Sequence, residues 1–189
     1  IDEAVLDNAV EDMLTEGELA KEETSGREYM FLPWLYSSQI YISTRLAQTE
    51  KLMRSGTPKN IDKLIQMQED VGGIEYAQLQ RKAIACSLSS GVMVLTGGPG
   101  TGKTTTVNGI IGVLEQEGNK VVLTAPTGRA AKRLSEVTSK EAKTIHRLLE
   151  STIENNRQKF TKNEKNPLRA DVVIVDEMSM VDTYLFEAL

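Results

Sequence analysis

One cysteine and one histidine in 189 residues narrow the chemistry before any motif is read. The lone Cys86 can close no internal disulfide, which fits a reducing cytoplasm. Its place in a helical pattern reads as a small buried hydrophobe rather than a nucleophile. A zinc site would be short of its usual ligands. Positive charge is not in excess either. Lysine and arginine number 22 against 27 acids, for a formal net charge of -5, so any basic binding surface must be local. No apolar run approaches the length that crosses a bilayer. The opening stretch, "IDEAVLDNAVEDML", is acidic and lacks the basic start and apolar centre of a signal peptide. It begins at isoleucine, and the chain reads as a piece of a longer protein. Internal repeats, low-complexity tracts and a nuclease-type cluster of acids are all missing from the sequence.

What is present suits a soluble α/β protein: 40% of residues are hydrophobic, enough for a sizeable core, and 26% are charged. Apolar residues at helical spacing predict an amphipathic helix over the first stretch. "ELAKEETSGREYMFLP" follows, with two strand-like runs around the turn signal "TSGR", then a helical pattern from Trp34 to Met53. This order gives a small helical, winged-helix-like module over 1–55. Trp34 and Tyr36, among Phe31, Leu32 and Leu35, are expected to pack in a core rather than serve as stacking platforms. "RSGTPKN" breaks the pattern and opens a linker with a short helix over 56–75. Over 76–189, strands at "VMVLT", "KVVLTAP" and "ADVVIVDE" alternate with helical patterns, the signature of a parallel sheet. "ENNRQKFTKNEKNP" reads as a polar segment, and Met178 and Met180 as packing residues.

The chemistry centres on "VMVLTGGPGTGKTTTVNGII". Gly97 to Thr104 satisfies the phosphate-loop pattern G-x-x-x-x-G-K-[ST], between a strand-like run and a helix. Glycines let the backbone turn its N–H groups inward, and the following helix adds its positive end. Gly98, Pro99, Gly100, Thr101, Gly102, Lys103, Thr104 and Thr105 would cradle the phosphates of a nucleotide. Lys103 would reach the β- and γ-phosphates, and Thr104 would place a hydroxyl on Mg²⁺. Asp176 and Glu177 end the apolar run Val172 to Val175, where ligands bind in a parallel sheet. Asp176 can hold the Mg²⁺ shell, and Glu177 can polarise a water for attack on the γ-phosphate. The two motifs together predict a nucleotide hydrolase core.

The ordered series "GGPGTGKTTT", "APTGRAAKRLSE", "TIHRLLE" and "DVVIVDEMSMVD" resembles the RecD/TraA family of superfamily 1 DNA helicases. The resemblance implies a RecA-like motor domain that hydrolyses ATP with Mg²⁺ and moves 5′ to 3′ along single-stranded DNA. It implies the phosphate and metal roles already read for Lys103, Thr104, Asp176 and Glu177. It also matches Gln80 to the family's adenine-contacting glutamine. Pro126 and Thr127 fall in a motif that touches the DNA track, and Thr127 can cap the next helix. Arg129, Lys132 and Arg133 share one helix face, where DNA phosphate or the nearby Glu136 could supply counter-charge. His146 matches a position near DNA, although a histidine between Ile145 and Arg147 also suits a structural role.

Single-stranded DNA, and recombination or repair proteins, are the implied partners, with no membrane. Close alternatives are a Pif-type helicase, a relaxase-fused conjugative helicase, or an ATP-binding subunit of a recombination nuclease complex. Later family motifs and the second motor domain do not occur before Leu189, so the 189 residues alone are expected to be inactive. In RecA-like sheets a further strand separates the phosphate-loop strand from the one bearing the paired acids. Its absence predicts that another chain or a strand rearrangement fills the gap, or that the protein extends past Leu189.

Overall fold

Apolar residues recurring every three or four positions form the first element, α1, Glu3–Thr15. The structure, a computed structural model, describes residues 3–53, 60–98, 100–154 and 157–189. It divides into two units, Ile1–Arg45 and Leu46–Leu189. In the first, β1 (Ala20–Thr24) and β2 (Arg27–Phe31) pair antiparallel. The turn between them is Ser25-Gly26, with φ of 55° and 72°. Two successive positive φ values give the tight turn whose twist matches a hairpin. Helix α2 (Pro33–Met53) follows and crosses the division between the units. The linker stretch "RSGTPKN" lies, except for Asn60, outside the described residues. Among the described residues no helix is long and apolar enough to cross a membrane.

Trp34 does not enter a core. It is 58% exposed, while Tyr36 is half-buried with its ring 5.5 Å from that of Phe31. A helix of this unit buries only a narrow stripe, and Trp34 falls outside it.

The second unit carries α3 (Ile61–Gly72), α4 (Gln78–Ser87) and α5 (Lys103–Gln116). After them come β3 (Val121–Ala125), α6 (Gly128–Thr138), β4 (Ala142–Thr144) and the single turn α7 (Ile145–Leu148). Strands β5 (Ser151–Glu154), β6 (Arg157–Phe160) and β7 (Val172–Val175) and helix α8 (Thr183–Ala188) complete it. The parallel sheet has the order β4-β3-β7, with Val121 opposite Val172 and Leu123 opposite both Ile174 and Ala142. The expected α/β class with a parallel sheet is the one observed.

The strand expected over Val92 to Thr96 does not form. Met93 and Leu95 pack against the core while Val94 is 82% exposed, so the side chains alternate as in a strand. A strand also needs a ladder, and among the described residues none lies alongside; β7 pairs only with β3. The polar segment, conversely, contributes a strand. β5 and β6 form an antiparallel hairpin in register from Ser151–Phe160 to Glu154–Arg157. Cross-strand partners hold it: Gln158 Nε2 donates to Ser151 Oγ at 2.9 Å, and Lys159 pairs with Glu154 at 2.6 Å. With one cross-strand pair polar and the other charged, it carried no apolar alternation to read.

The main core joins α3, α4 and α5: Ile65, Tyr76, Ile84, Leu88, Ile110, Val113 and Leu114 are buried together. Ile111, Leu123 and Leu134 seal α5 and α6 onto the sheet, and Ile145, Leu149 and Leu185 form a third cluster. Cys86 is exposed rather than buried, with Sγ 3.3 Å from Ser90 Oγ. It lies about 200° around α4 from the fully buried Ile84. Met180 is likewise 60% exposed, although Met178 is half-buried.

Gly109 is the contact point of α4 with α5. A Cβ there would lie 2.6 Å from Ile84 Cδ1 and 2.8 Å from the Tyr76 hydroxyl. Alanine improves helix propensity by about 1 kcal/mol, but overpacking a filled core costs about 1–3 kcal/mol. Because Ile84 is fully buried and the Tyr76 hydroxyl crowds the same point, overpacking should win. Gly109→Ala is expected to lower the stability measured by urea unfolding by up to about 2 kcal/mol.

Candidate active site

The phosphate loop owes its shape to residues that lack or fold back their side chains. Gly100 and Gly102 have φ of 74° and 78°, in the left-handed region that glycine occupies without strain. A Cβ at Gly97 would lie 2.7 Å from Thr101 Oγ1, and that hydroxyl donates to the Gly98 carbonyl at 2.9 Å. Gly102 caps α5, and Thr106 Oγ1 donates to its carbonyl at 3.0 Å. Lys103 and Thr104 are exposed in the first turn and Thr105 is half-buried. Pro99 lies outside the described residues. An open glycine turn leading into a 14-residue helix fits a phosphate group.

Asp176 and Glu177 sit where β7 ends, both exposed. The Asp176 N–H donates to the Thr124 carbonyl at 2.9 Å, which extends the β3–β7 ladder by one step and fixes the acid at the strand end. Asp176 Oδ1 accepts from the Glu177 N–H at 3.0 Å. Glu177 has φ of 54°, a left-handed backbone on a residue with a Cβ. Such strain is held only where the surroundings enforce it, and it concentrates at functional positions. Here the ladder before it and the 3₁₀ turn Met178–Met180 after it do so. Met93 and Leu95, ahead of the phosphate loop, pack on the same core as Val172 and Ile174, ahead of the acids. Both motifs thus hang from one core. Thr104 and Asp176 offer the hard oxygen donors that suit Mg²⁺.

Gln80 touches the loop itself. Its Oε1 accepts from the Ala77 N–H at 2.9 Å, its Nε2 is 3.5 Å from the Gly102 carbonyl, and a Cβ at Gly102 would collide with that Nε2. Next to it, Arg81 reaches Glu69 of α3, Nη1 to Oε2 at 2.6 Å. Glu69 is 5% exposed, and its Oε1 also accepts from the Tyr76 N–H at 2.9 Å. Arg81's hydrogen bond, then the Tyr76 N–H, hold the Glu69 carboxyl below its ordinary value against the opposing effect of burial. The same pairing raises Arg81. Sequence reading passed over this pair. The signal was there: Glu69 falls at the i+8 position of the apolar stripe that begins at Ile61, Leu64 and Ile65.

The strand ends also collect the positions expected near DNA. Pro126 and Thr127 follow β3, and Thr127 Oγ1 accepts from the Ala130 N–H at 3.2 Å to cap α6. Arg129, Lys132 and Arg133 are exposed on α6, with Glu136 3.9 Å from Lys132. His146 follows β4 and is half-buried, its ring 6.3 Å from Phe160 of the hairpin. It lines an open groove of about 690 Å³ with Arg147, Glu150, Ser151, Ile153 and Gln158.

A sequence model of the AAA domain family matches residues 80–189. The chain is 47% identical over 98 residues to an ATP-dependent RecD2 DNA helicase of Deinococcus radiodurans, covering 52% of this chain and 13% of that protein. It is 38% identical over 133 residues to the RecBCD enzyme subunit RecD of Mycobacterium tuberculosis, covering 58% and 23%. With the RecD subunit of Buchnera aphidicola it shares 32% over 181 residues, covering 85% and 29%. The matched part of the chain therefore spans less than a third of these relatives' length.

The depressed Glu69 carboxyl has a pH signature. A carboxyl whose folded value lies below its unfolded one contributes stability above the unfolded value of about 4.3. That contribution is lost as pH falls through the folded value. Glu69→Gln should therefore be less stable than the parent at neutral pH, and the difference should close on acidification below about pH 4.3. Urea unfolding at a series of pH values measures it; a difference independent of pH would contradict the assignment.

Proposed function

This chain belongs to the AAA domain family and is RecD-like, and from that premise we propose that it forms the nucleotide-binding part of an ATP-driven DNA helicase. The observation that carries the reading is the pairing of two motifs on one core. The glycine turn opens α5 at Lys103, and the ladder bond from Asp176 to Thr124 sets two acids at the end of β7. Lys103 neutralises the β- and γ-phosphates of ATP, while Thr104 and Asp176 hold Mg²⁺, which supplies charge neutralisation at the phosphate oxygens. Glu177 orients a water and accepts its proton. Gln80, resting on Gly102, contacts the adenine. Relatives named as an ATP-dependent helicase and as RecBCD subunits support this reading.

The finer function is movement 5′ to 3′ along single-stranded DNA in the cytoplasm, in company with recombination or repair proteins. Supporting it are the family resemblance and the exposed Arg129, Lys132 and Arg133, which follow the Thr127 cap on one face of α6. Exposed cations with one acid nearby suit a polyanionic backbone better than a neutral partner. His146, with Pro126 and Thr127, extends this surface along the carboxyl ends of the strands. Residues 1–189 alone are expected to bind Mg²⁺–ATP weakly and to turn it over near background.

In the full-length protein, Lys103→Ala should abolish the γ-phosphate contribution to binding, and unchanged ATP affinity by calorimetry would sink the assignment. Glu177→Gln should keep binding and lose turnover by about 10²–10⁴-fold.

The DNA face has a separate test. Replacing Arg129, Lys132 and Arg133 together should weaken single-strand binding regardless of base sequence and flatten the salt dependence by roughly 2 in slope. An unchanged slope would leave the face merely solvated.

A further inference from the structure

Glu69 and Arg81 have no part in the phosphate chemistry, yet the burial of Glu69 needs a reason. Glu69 is 5% exposed on the face of α3 that otherwise carries Ile61, Leu64 and Ile65. Glu69 loses its hydration in this pair while Arg81 stays partly exposed, and an apolar pair of similar volume is often as stable as a buried ion pair. What an apolar pair lacks is direction. The Glu69 carboxylate takes Arg81 Nη1 at 2.6 Å on one oxygen and the Tyr76 N–H at 2.9 Å on the other. Its own carbonyl takes the N–H groups of Gly73 and Ile74. One residue thus ties the α3–α4 turn to both helices and fixes the first turn of α4.

That turn carries Gln80. The Ala77 N–H can only donate, so the atom it meets is Gln80 Oε1, and Nε2 faces the Gly102 carbonyl. These two contacts define the amide's plane and use one lone pair and one N–H. An amide has two of each. What remains is one acceptor position and one donor, the chemical complement of the N6 donor and N7 acceptor of adenine. Guanine presents two acceptors at the corresponding edge, so it cannot match both. The selectivity depends on the amide keeping this plane.

We propose that Glu69 and Arg81 are positioning residues for base selection: their contact, with Glu69 buried, holds α4 so that Gln80 presents its free donor and acceptor to adenine. The inference rests on the nucleotide-site reading above. The triphosphate grip belongs to the Gly97–Thr104 loop and α5, so the pair acts on base discrimination and not on phosphate affinity.

The test compares the full-length protein with Arg81→Met, Arg81→Lys, Glu69→Gln and Gln80→Ala, each checked for a cooperative thermal unfolding transition. Affinities for ATP, GTP and inorganic tripolyphosphate are measured by calorimetry in Mg²⁺. The parent should prefer ATP over GTP. Arg81→Met, Glu69→Gln and Gln80→Ala should each cut that preference by roughly tenfold, and in Arg81→Met and Glu69→Gln tripolyphosphate affinity should stay within about twofold of the parent. Arg81→Lys should restore part of the preference, since it keeps one charged donor. Should Arg81→Met fail to fold, the isosteric Glu69→Gln decides. Equal loss for tripolyphosphate and ATP, or an unchanged ATP/GTP ratio in Glu69→Gln, would overturn the positioning role. A parent that binds tripolyphosphate and both nucleotides without preference would overturn it too, leaving the nucleotide site intact. A parent that binds none of the three would instead remove the nucleotide site itself, and the inference with it.

Discussion

Close approach of α4 to α5 at Gly109 is the constraint on which the second unit depends. With no side chain at that position, Ile84 and Tyr76 reach α5 and complete the core with Ile65, Ile110, Val113 and Leu114. The dispersion and burial energy of such a cluster is what lets a surface loop be held in a fixed shape. α5 begins at the phosphate loop and α4 begins three residues ahead of Gln80 at Ala77, its cap. Fixing one helix against the other therefore fixes the glutamine against the loop. The contact between Gln80 and Gly102 follows from packing several residues away.

A different force places the acids. Asp176 and Glu177 are exposed and gain nothing from the core themselves. Their position comes from the parallel ladder, in which Val121 to Thr124 pair with Val172 to Val175 and the Asp176 N–H adds one more bond. The ladder ends there because Glu177 turns into the left-handed region. Backbone strain at that one residue is tolerated since the paired strand before it and the 3₁₀ turn behind it leave no lower-energy route. Side-chain packing thus sets the phosphate loop, and main-chain hydrogen bonding sets the acids.

The surface expected near DNA is organised by strand direction. Parallel strands send all their carboxyl ends to one edge, so Thr127, His146 and Asp176, far apart in sequence, follow three neighbouring strands. The hairpin β5–β6 joins this region through Phe160, whose ring lies 6.3 Å from His146 and 5.9 Å from Tyr184. That contact gives His146 a packing neighbour as well as a place on the proposed nucleic-acid surface.

Much of the molecule could be read from residue order alone, because its signals are local. The glycine spacing before Lys103, the apolar run before Asp176 and the helical period of α3 to α6 each express a rule that acts within a few residues. The Thr127 cap was legible for the same reason. Pairing was not. Val92 to Thr96 has the composition and alternation of a strand yet forms none, because a strand exists only with a neighbour to bond. Ser151–Glu154 and Arg157–Phe160 are largely polar in composition, yet they pair as strands, with polar side chains meeting across them. Burial of single residues was equally nonlocal: Cys86 and Trp34 are exposed because of which helix face meets a neighbour. Glu69 is buried because Arg81 and the Tyr76 N–H satisfy its charge there. Local chemistry was determined by the sequence by itself; the partners of each strand edge and each buried charge were decided only by the tertiary structure, since those energies exist between residues that the chain keeps apart until it folds.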